Sequence, residues 1–211
     1  AQRALLSQLA EKLDHPWAKR GCQLIEPYLV EPPHSGNLGQ VAILRHGVDC
    51  VLSTPGAALV TAPIDKARCR DEGFSYPGHT EYLAARAGCD EFAMLMAGPT
   101  LRVVLATIHL PLRQVPEVLT SAKIVVAGRL LATALHTDFG IAAPRVGVLG
   151  LNPHAGERGM LGDEETRVIA PAVTSLRAWA QEQPWSCTFH GPQAADTGFP
   201  KHAAGSLDGV I

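Results

Sequence analysis

The chain carries little charge, and that scarcity excludes several classes of partner. Of its 211 residues, 18% are Asp, Glu, Lys or Arg, the formal net charge is −2, and no long block of like charges occurs. Binding to DNA, RNA or anionic lipid relies on basic patches that attract phosphate groups. The sequence therefore gives no indication of a nucleic-acid or membrane-surface partner, and a small molecule is the expected ligand.

Cysteine is scarce, and long apolar runs are missing. The five cysteines (Cys22, Cys50, Cys69, Cys89 and Cys187) are an odd number, lie far apart and form no C-x-x-C motif. Neither a disulfide framework nor a cysteine-based zinc site is favoured by this pattern. No apolar run approaches the ~18 to 20 residues that a membrane-spanning helix needs. These absences predict a protein of the reducing cytoplasm.

What the sequence does contain is an alternation of helical and extended patterns. Apolar residues make up 46% of the chain, which is enough for a buried core. Helical spacing occurs at residues 2–13, 41–51, 81–87, 115–136 and 163–181, and extended runs occur at 23–30, 57–61, 92–96, 102–107, 145–151 and 185–189. Pro171 is expected to kink the last helix. This order predicts the α/β fold class, with a mixed, largely parallel sheet and helices on both faces.

Two histidines follow extended runs in similar surroundings. His109 lies in the segment 107–113 (TIHLPLR), and His154 lies in the segment 150–157 (GLNPHAGE). Loops at the carboxyl ends of parallel strands commonly hold ligands in α/β proteins. Because imidazole is a good ligand for divalent metals, the pair predicts a shared metal ion. The alternative is two polar side chains that are hydrogen-bonded at strand ends.

Other polar side chains lie beside predicted helix and strand ends. His79 and Thr80 precede a helix whose free N–H groups attract anions, which favours a phosphate site, although an ordinary Thr-capped helix fits the same pattern. Lys66 follows the 57–61 run and is either a phosphate ligand or a solvated surface charge. Asp196 follows the last predicted strand and is either a base, a substrate-orienting group or part of an Asp-Thr turn.

Six segments, taken in order, resemble the 4-hydroxythreonine-4-phosphate dehydrogenase family of vitamin B6 synthesis. They are 61–66 (TAPIDK), 78–81 (GHTE), 107–113, 150–157, 162–165 (GDEE) and 191–199 (GPQAADTGF). The resemblance implies a fold like that of the isocitrate and isopropylmalate dehydrogenases. It also implies a homodimer with a shared active site, whose metal site takes histidines from both subunits.

The resemblance also implies site residues and a reaction. The positions that match the family's site are His109 and His154 for the metal, His79 and Thr80 for the substrate, and Lys66 and Asp196 for catalysis. The implied reaction is oxidation of 4-phosphohydroxy-L-threonine by NAD or NADP, followed by decarboxylation to 3-amino-2-oxopropyl phosphate. A divalent metal (zinc, magnesium or cobalt) would favour the alkoxide before hydride transfer. The residues that would bind the nicotinamide cofactor stay unassigned.

The chain departs from the family pattern in several places. Residues 1–211 are expected to form the substrate- and metal-binding portion of a dehydrogenase, without the glycine-rich opening motif and the C-terminal cofactor portion that would carry the third metal ligand. This portion alone is expected to have negligible turnover. Arg158 and Gln193–Ala194 replace small or Leu-Pro residues and could retune substrate choice. His190 and His202 lie outside the motif of the third ligand.

Three other functions fit parts of the sequence. A related threonate or erythronate 4-phosphate dehydrogenase would share these motifs. A non-catalytic metal- or phosphate-binding remnant would keep the histidines but lack the cofactor half. A metal-dependent hydrolase would use Glu157 as a base beside His154, but the sequence has no compact H-x-H or H-E-x-x-H motif.

Overall fold

The computed structural model describes residues 39–211, which fall into two compact units separated after Ser75. The predicted helix at 2–13 and the predicted strand at 23–30 lie outside the described residues. Within residues 39–75, the helices of the first unit are α1 (Gln40–Ser53) and α2 (Lys66–Asp71). The elements of the second unit are α3 (His79–Ala87), β1 (Met94–Ala97), β2 (Arg102–Leu105), α4 (Val115–Val118), α5 (Ser121–Thr137), β3 (Arg145–Leu149), α6 (Ala170–Gln181), β4 (Thr188–Gln193), α7 (Ala195–Ala203) and β5 (Gly209–Val210).

The first unit confirms one sequence prediction and corrects another. Val41, Leu44 and Val48 are the buried residues of α1, at the spacing expected for one face of a helix. The extended run at 57–61 is predicted to form a strand, and this prediction is wrong. It has no regular structure, and Val60 is 94% exposed. No strand in the described part of the chain pairs with the run, and an extended segment without a partner leaves its backbone to water.

The second unit is built on a five-stranded sheet in the order β1-β2-β5-β3-β4. β5 pairs in parallel with both β2 and β3, and β3 pairs in parallel with β4. Only β1, which forms a hairpin with β2, runs antiparallel. The prediction of a mixed, largely parallel sheet is therefore confirmed, and the carboxyl ends of four strands meet at one edge.

Helices cover both faces of this sheet, as predicted. Val146 and Val148 of β3 belong to the main buried cluster with Leu131 of α5 and Leu176 of α6. Side chains alternate along a strand, so the intervening position, Gly147, faces the opposite side. There a Cβ on Gly147 would lie 2.7 Å from Leu207, and α7 packs against β3 and β5.

Three predicted elements differ from the structure. The expected helix at 115–136 is divided into α4 and α5, which meet at an angle of 96°. The side chain of Thr120 caps α5 by accepting a hydrogen bond from the Lys123 N–H. The expected helix at 163–181 begins with a π-helical turn (Glu165–Ile169) just before Pro171, where a kink was predicted. The expected final strand at 185–189 begins later, at Thr188, and is followed by α7 and β5.

Within residues 39–211, no single helix has both the length and the apolar character needed to cross a bilayer. The bent pair Leu112–Val118 and Ser121–Thr137 meets the length and composition criteria only when its two parts are taken together.

Candidate metal and substrate site

His109 and His154 lie beyond the carboxyl ends of β2 and β3, at the same edge of the sheet. β5 is the single strand between β2 and β3, which places the axes of these two strands about 10 Å apart. Both histidines have left-handed backbone, with φ of 57° at His109 and 52° at His154. Left-handed backbone is uncommon outside glycine and clusters at functional sites. The two predicted metal ligands therefore share a strand-end position and an unusual backbone conformation.

His154 begins a left-handed turn that continues to Arg158, with φ between 43° and 77° at all five residues. A buried carboxylate holds the base of this turn. The Asn152 N–H donates to Glu165 Oε1 over 2.7 Å, and Asn152 Nδ2 donates to Glu165 Oε2 over 2.9 Å. The Glu165 side chain comes so close to the turn that a Cβ on Gly156 would lie 2.7 Å from Oε2. Glu165 therefore stabilises the conformation that presents His154.

The neighbouring acid, Glu164, completes the polar contacts of this turn. Asn152 Nδ2 donates a 2.7 Å hydrogen bond to Glu164 Oε2. That hydrogen bond holds the pKa of the Glu164 carboxyl below its usual range, because it favours the ionised form. Asn152 thus joins two consecutive carboxylates to the segment that carries His154.

His109 is paired with a carboxylate of α3. Its Nδ1 lies 2.9 Å from Glu81 Oε1, and the His109 side chain is 41% exposed. The start of α3 also lies against the ring, because a Cβ on Gly78 would be 3.7 Å from His109 Cε1. The segment predicted to bind substrate therefore adjoins a predicted metal ligand.

His154 faces Asp196, a predicted catalytic residue in the first turn of α7. Its Nδ1 lies 3.8 Å from Asp196 Oδ2, which is too long for a hydrogen bond but close enough for electrostatic attraction. Both side chains are more than 60% exposed. The structure thus brings together two residues that sequence reasoning had placed in separate motifs, and it puts Asp196 in a helix rather than in an isolated Asp-Thr turn.

His79 and Thr80 occupy the first turn of α3. The expectation that Thr80 caps this helix is wrong, since the N-cap is Gly78 and no side chain caps the terminus. The N–H groups at a helix N-terminus are hydrogen-bond donors that can bind an anion. His79 Nε2 is buried, and it has no hydrogen-bond partner among the residues that the structure describes. A buried polar atom in that state is suited to contact a ligand.

Lys66 lies in the first unit, where it begins α2. Asp65 caps this helix by accepting hydrogen bonds from the N–H groups of Ala67 and Arg68, and Lys66 itself is exposed. The strand that was expected to precede Lys66 is missing from the described structure. Its catalytic role stays a prediction.

His202 is a structural histidine rather than a part of the strand-end site. It is 2% exposed, Nε2 accepts a hydrogen bond from the Arg102 N–H over 2.7 Å, and Nδ1 pairs with the Leu207 carbonyl over 2.8 Å. Both ring nitrogens are therefore occupied. His190, in contrast, is exposed and contacts the Thr188 hydroxyl.

A cavity of about 270 Å³ lies at the same strand ends. Its walls are mainly aliphatic and come from the ends of β2 and β3, from α5 and from α7; they include Leu105, Leu149, Leu151, Ile124 and Phe199. Apolar walls beside a few polar groups are typical of small-molecule sites.

The histidines fit a metal ion as part of a ligand set. Among residues 39–211, no three His, Cys, Asp or Glu side chains converge to hold a metal by themselves. Two exposed imidazoles, each with Nδ1 directed at a carboxylate, are nonetheless suitable donors through Nε2. A complete site would need at least one further ligand from elsewhere.

Comparison with known proteins identifies the family. The family model described as "Pyridoxal phosphate biosynthetic protein PdxA" matches residues 29–211. This chain belongs to the PdxA family. The match includes every segment on which the sequence-based resemblance depended, and it confirms that resemblance.

PdxA relatives show how much of the family protein this chain represents. A 4-hydroxythreonine-4-phosphate dehydrogenase from Erythrobacter litoralis is 47% identical over 164 residues, which are 76% of this chain and 47% of the relative. The chain spans about half the length of the curated relatives that it matches. It is therefore comparable with only part of those enzymes.

Solved structures agree with the PdxA fold. The crystal structure of 4-hydroxythreonine-4-phosphate dehydrogenase from Klebsiella pneumoniae is 34% identical, has a TM-score of 0.74, and matches 88% of this chain and 56% of its own. A terephthalate 1,2-cis-dihydrodiol dehydrogenase from Burkholderia xenovorans is 27% identical, with a TM-score of 0.61, over 81% of this chain and 52% of its own.

Proposed function

We propose that this chain is the substrate- and metal-binding portion of a 4-hydroxythreonine-4-phosphate dehydrogenase in pyridoxal phosphate synthesis. The observation that carries the proposal is the placement of His109 and His154. Both lie in left-handed backbone at one sheet edge, and each faces a carboxylate through Nδ1. Membership of the PdxA family gives this arrangement its chemical interpretation.

The two histidines would hold a divalent metal (zinc, magnesium or cobalt) through their Nε2 atoms. Such an ion supplies Lewis-acid stabilisation of negative charge on a substrate oxygen. A third ligand and the NAD or NADP site would come from parts of the enzyme outside residues 39–211. The proposed reaction converts 4-phosphohydroxy-L-threonine to 3-amino-2-oxopropyl phosphate and carbon dioxide, with hydride passing to the nicotinamide.

The start of α3 would bind the phosphorylated substrate. Thr80 and the uncapped N–H groups of the first turn offer donors for anionic oxygen, and the unpartnered Nε2 of His79 can contact a substrate oxygen or hydroxyl. Asp196 is placed beside His154, where a carboxylate can orient the substrate or accept a proton. Lys66 would supply a positive charge or a proton to the same reaction.

We also propose that the enzyme is a cytoplasmic homodimer with a shared active site. The incomplete ligand set around His109 and His154 supports this, since a second subunit is one source of the missing ligand. Measuring the mass of the full native chain in solution with and without zinc tests the dimer. A monomer under both conditions would contradict it.

The first test combines metal content with turnover. We expect the full native chain to copurify with, or bind, one divalent ion per site and to reduce NAD or NADP with 4-phosphohydroxy-L-threonine. His154→Ala should lose the metal and the turnover while its circular dichroism spectrum is retained. His190→Ala removes an exposed histidine of β4 and is the matched control. Normal metal content and turnover in His154→Ala would overturn the ligand assignment.

A related substrate is the second candidate. One of the similar solved structures is named a terephthalate dihydrodiol dehydrogenase, so similar proteins are named after different substrates. Gln193 and Arg158 lie close in sequence to Asp196 and His154, so differences there could alter substrate choice. Threonate 4-phosphate and erythronate 4-phosphate should therefore be assayed beside 4-phosphohydroxy-L-threonine. The highest kcat/KM identifies the substrate, while metal binding without any turnover would favour a non-catalytic remnant.

A further inference from the structure

The imidazole ring has two nitrogens, and only the unprotonated one can bind a metal. In a neutral histidine the other nitrogen carries the proton, and the acceptor of that proton sets which nitrogen is free. The orientation of His109 and the location of its proton therefore depend on what contacts its Nδ1.

We propose that Glu81 is the positioning residue for His109, fixing the proton on Nδ1 and leaving Nε2 as the ligand nitrogen. This inference rests on the proposed function, in which His109 binds the metal. The Nδ1–Oε1 distance of 2.9 Å is that of a good hydrogen bond from N–H to a carboxylate. Among the described residues, Nε2 of His109 makes no hydrogen bond, so it is available to a ligand.

The surroundings of Glu81 hold its side chain in place beside the His109 ring. It is the third residue of α3, and its side chain is 22% exposed, about half the exposure of the His109 ring. A carboxylate in the first turn is also favoured by the helix dipole. A Cβ built on Gly78 would lie 3.7 Å from Cε1 of the ring, so the start of α3 lies beside His109 as well as pairing with it through Glu81. The same short helix therefore carries the predicted substrate-binding residues and the carboxylate that orients a metal ligand.

The second histidine lacks such an arrangement. The 3.8 Å between His154 Nδ1 and Asp196 Oδ2 is too long for a hydrogen bond, and both of these side chains are well exposed. His109 is thus already oriented in this structure, whereas His154 has to adjust to reach its carboxylate. Loss of Glu81 should therefore weaken metal binding directly.

The test measures zinc affinity and the ring tautomer in the full native chain. Zinc is titrated calorimetrically into the parent and into Glu81→Gln, Glu81→Ala and Glu81→Met. The same titration of His109→Ala measures how much zinc binds at other sites. Glu81→Ala and Glu81→Met remove the acceptor, and we expect the zinc Kd to rise about 10- to 100-fold. Glu81→Gln keeps a carbonyl acceptor and should lose less. Glu182→Ala, an exposed acid at the end of α6, should bind like the parent.

Nitrogen-15 NMR of the metal-free protein shows which ring nitrogen of His109 carries the proton. A general loss of stability in a folded variant would not change this. The His109 ring should show a proton on Nδ1 in the parent and in Glu81→Gln, and that signature should weaken or disappear in Glu81→Ala and Glu81→Met. His109→Ala assigns the signals. If Glu81→Ala fails to fold, Glu81→Met gives the same comparison with a side chain of similar length.

The outcomes separate the two proposals. A parent that binds zinc, with unchanged affinity and tautomer in the variants that lack the acceptor, would overturn the role of Glu81 and leave His109 as a ligand. A parent that binds no more zinc than His109→Ala would overturn the ligand assignment itself and, with it, the role of Glu81. Weakened affinity together with the altered tautomer would establish the positioning role.

Discussion

The buried carboxylate of Glu165 accepts hydrogen bonds from both the backbone N–H and the side-chain amide of Asn152, thirteen residues earlier in the chain. Glu165 is 4% exposed and is one of the two polar side chains in the buried set of the described residues. Burying a carboxylate is costly unless its oxygens accept hydrogen bonds. The two contacts offset that cost and bind the His154 turn to the helix that follows it.

Replacing Glu165 should therefore loosen the turn. In Glu165→Gln, the new amide N–H₂ would face a donor of Asn152, so one hydrogen bond is lost and a buried polar group is left without a partner. We expect the free energy of unfolding to fall by about 1–3 kcal/mol. Urea denaturation measures this, and Asp163→Asn, an exposed acid two residues earlier, is the control. Equal stability of the two variants would contradict the structural role of Glu165.

Two glycines of the same turn provide a matched pair. Gly156 and Gly159 both have positive φ, at 77° and 97°, so alanine is strained at either position. At Gly159 an added Cβ meets nothing within 4 Å, whereas at Gly156 it would lie 2.7 Å from Glu165 Oε2. Gly159→Ala should thus cost about 1–2 kcal/mol of stability. Gly156→Ala should cost more and also weaken zinc binding through His154. Comparable urea midpoints and zinc affinities would show that the close approach is unimportant.

His202 should behave as a structural residue. It connects the backbone of β2 with the segment before β5 through Arg102 and Leu207. His202→Ala leaves a buried N–H and a buried carbonyl without partners, so we expect a loss of about 2–5 kcal/mol in unfolding free energy. His190→Ala should change stability by less than about 0.5 kcal/mol, as expected for a surface site. In folded protein at low temperature, zinc affinity should be normal for both variants. Loss of zinc by folded His202→Ala would instead mark it as a ligand.

The sequence predicted those helices and strands whose signal lies within their own residues. The apolar spacing of Val41, Leu44 and Val48 is sufficient to predict α1, and the extended runs at 92–96 and 102–107 are sufficient to predict β1 and β2. The break between α4 and α5 was missed because apolar residues continue across it, so hydrophobic periodicity gives no sign of the 96° bend. Thr120 was the available signal, as a Thr N-cap inside a helical pattern can begin a new helix.

The missed parts of the site depend on contacts between distant residues. Asp196 was found, but the helix that carries it was not, since Pro200 in the middle of 195–203 argues against a helix. His109 and His154 were found from their position after strand-like runs. Glu81, the carboxylate beside His109, was not found, because the two residues are 28 positions apart in the chain and no spacing pattern connects them.

The ion pair between Arg145 and Asp208 predicts acid sensitivity of the sheet edge opposite the site. Asp208 accepts hydrogen bonds from the N–H, Nε and Nη2 of Arg145, at 2.8, 3.0 and 2.9 Å. These hydrogen bonds join Arg145, the first residue of β3, to Asp208, the residue just before β5. Burial tends to raise the pKa of Asp208, but the hydrogen bonds and the charge of Arg145 outweigh burial and lower it. The ionised form is therefore stabilised by folding.

A lowered pKa in the folded state fixes the sign of the pH effect. The contribution of Asp208 is fully present above the pKa of an unfolded Asp, about 3.9, and is lost as the pH falls through the lower pKa of the folded state. Asp208→Asn should reduce the unfolding free energy by about 1.5–3 kcal/mol at pH 7, as expected for hydrogen bonds to a charged group. Urea denaturation at pH 7, 5, 4 and 3 should show the gap between parent and variant closing only below about pH 4. Asp90 is an exposed acid of the same unit, and Asp90→Asn should have the same unfolding free energy as the parent at every pH. If the difference between the parent and Asp208→Asn stayed constant down to pH 3, the charge of Asp208 would contribute nothing to stability.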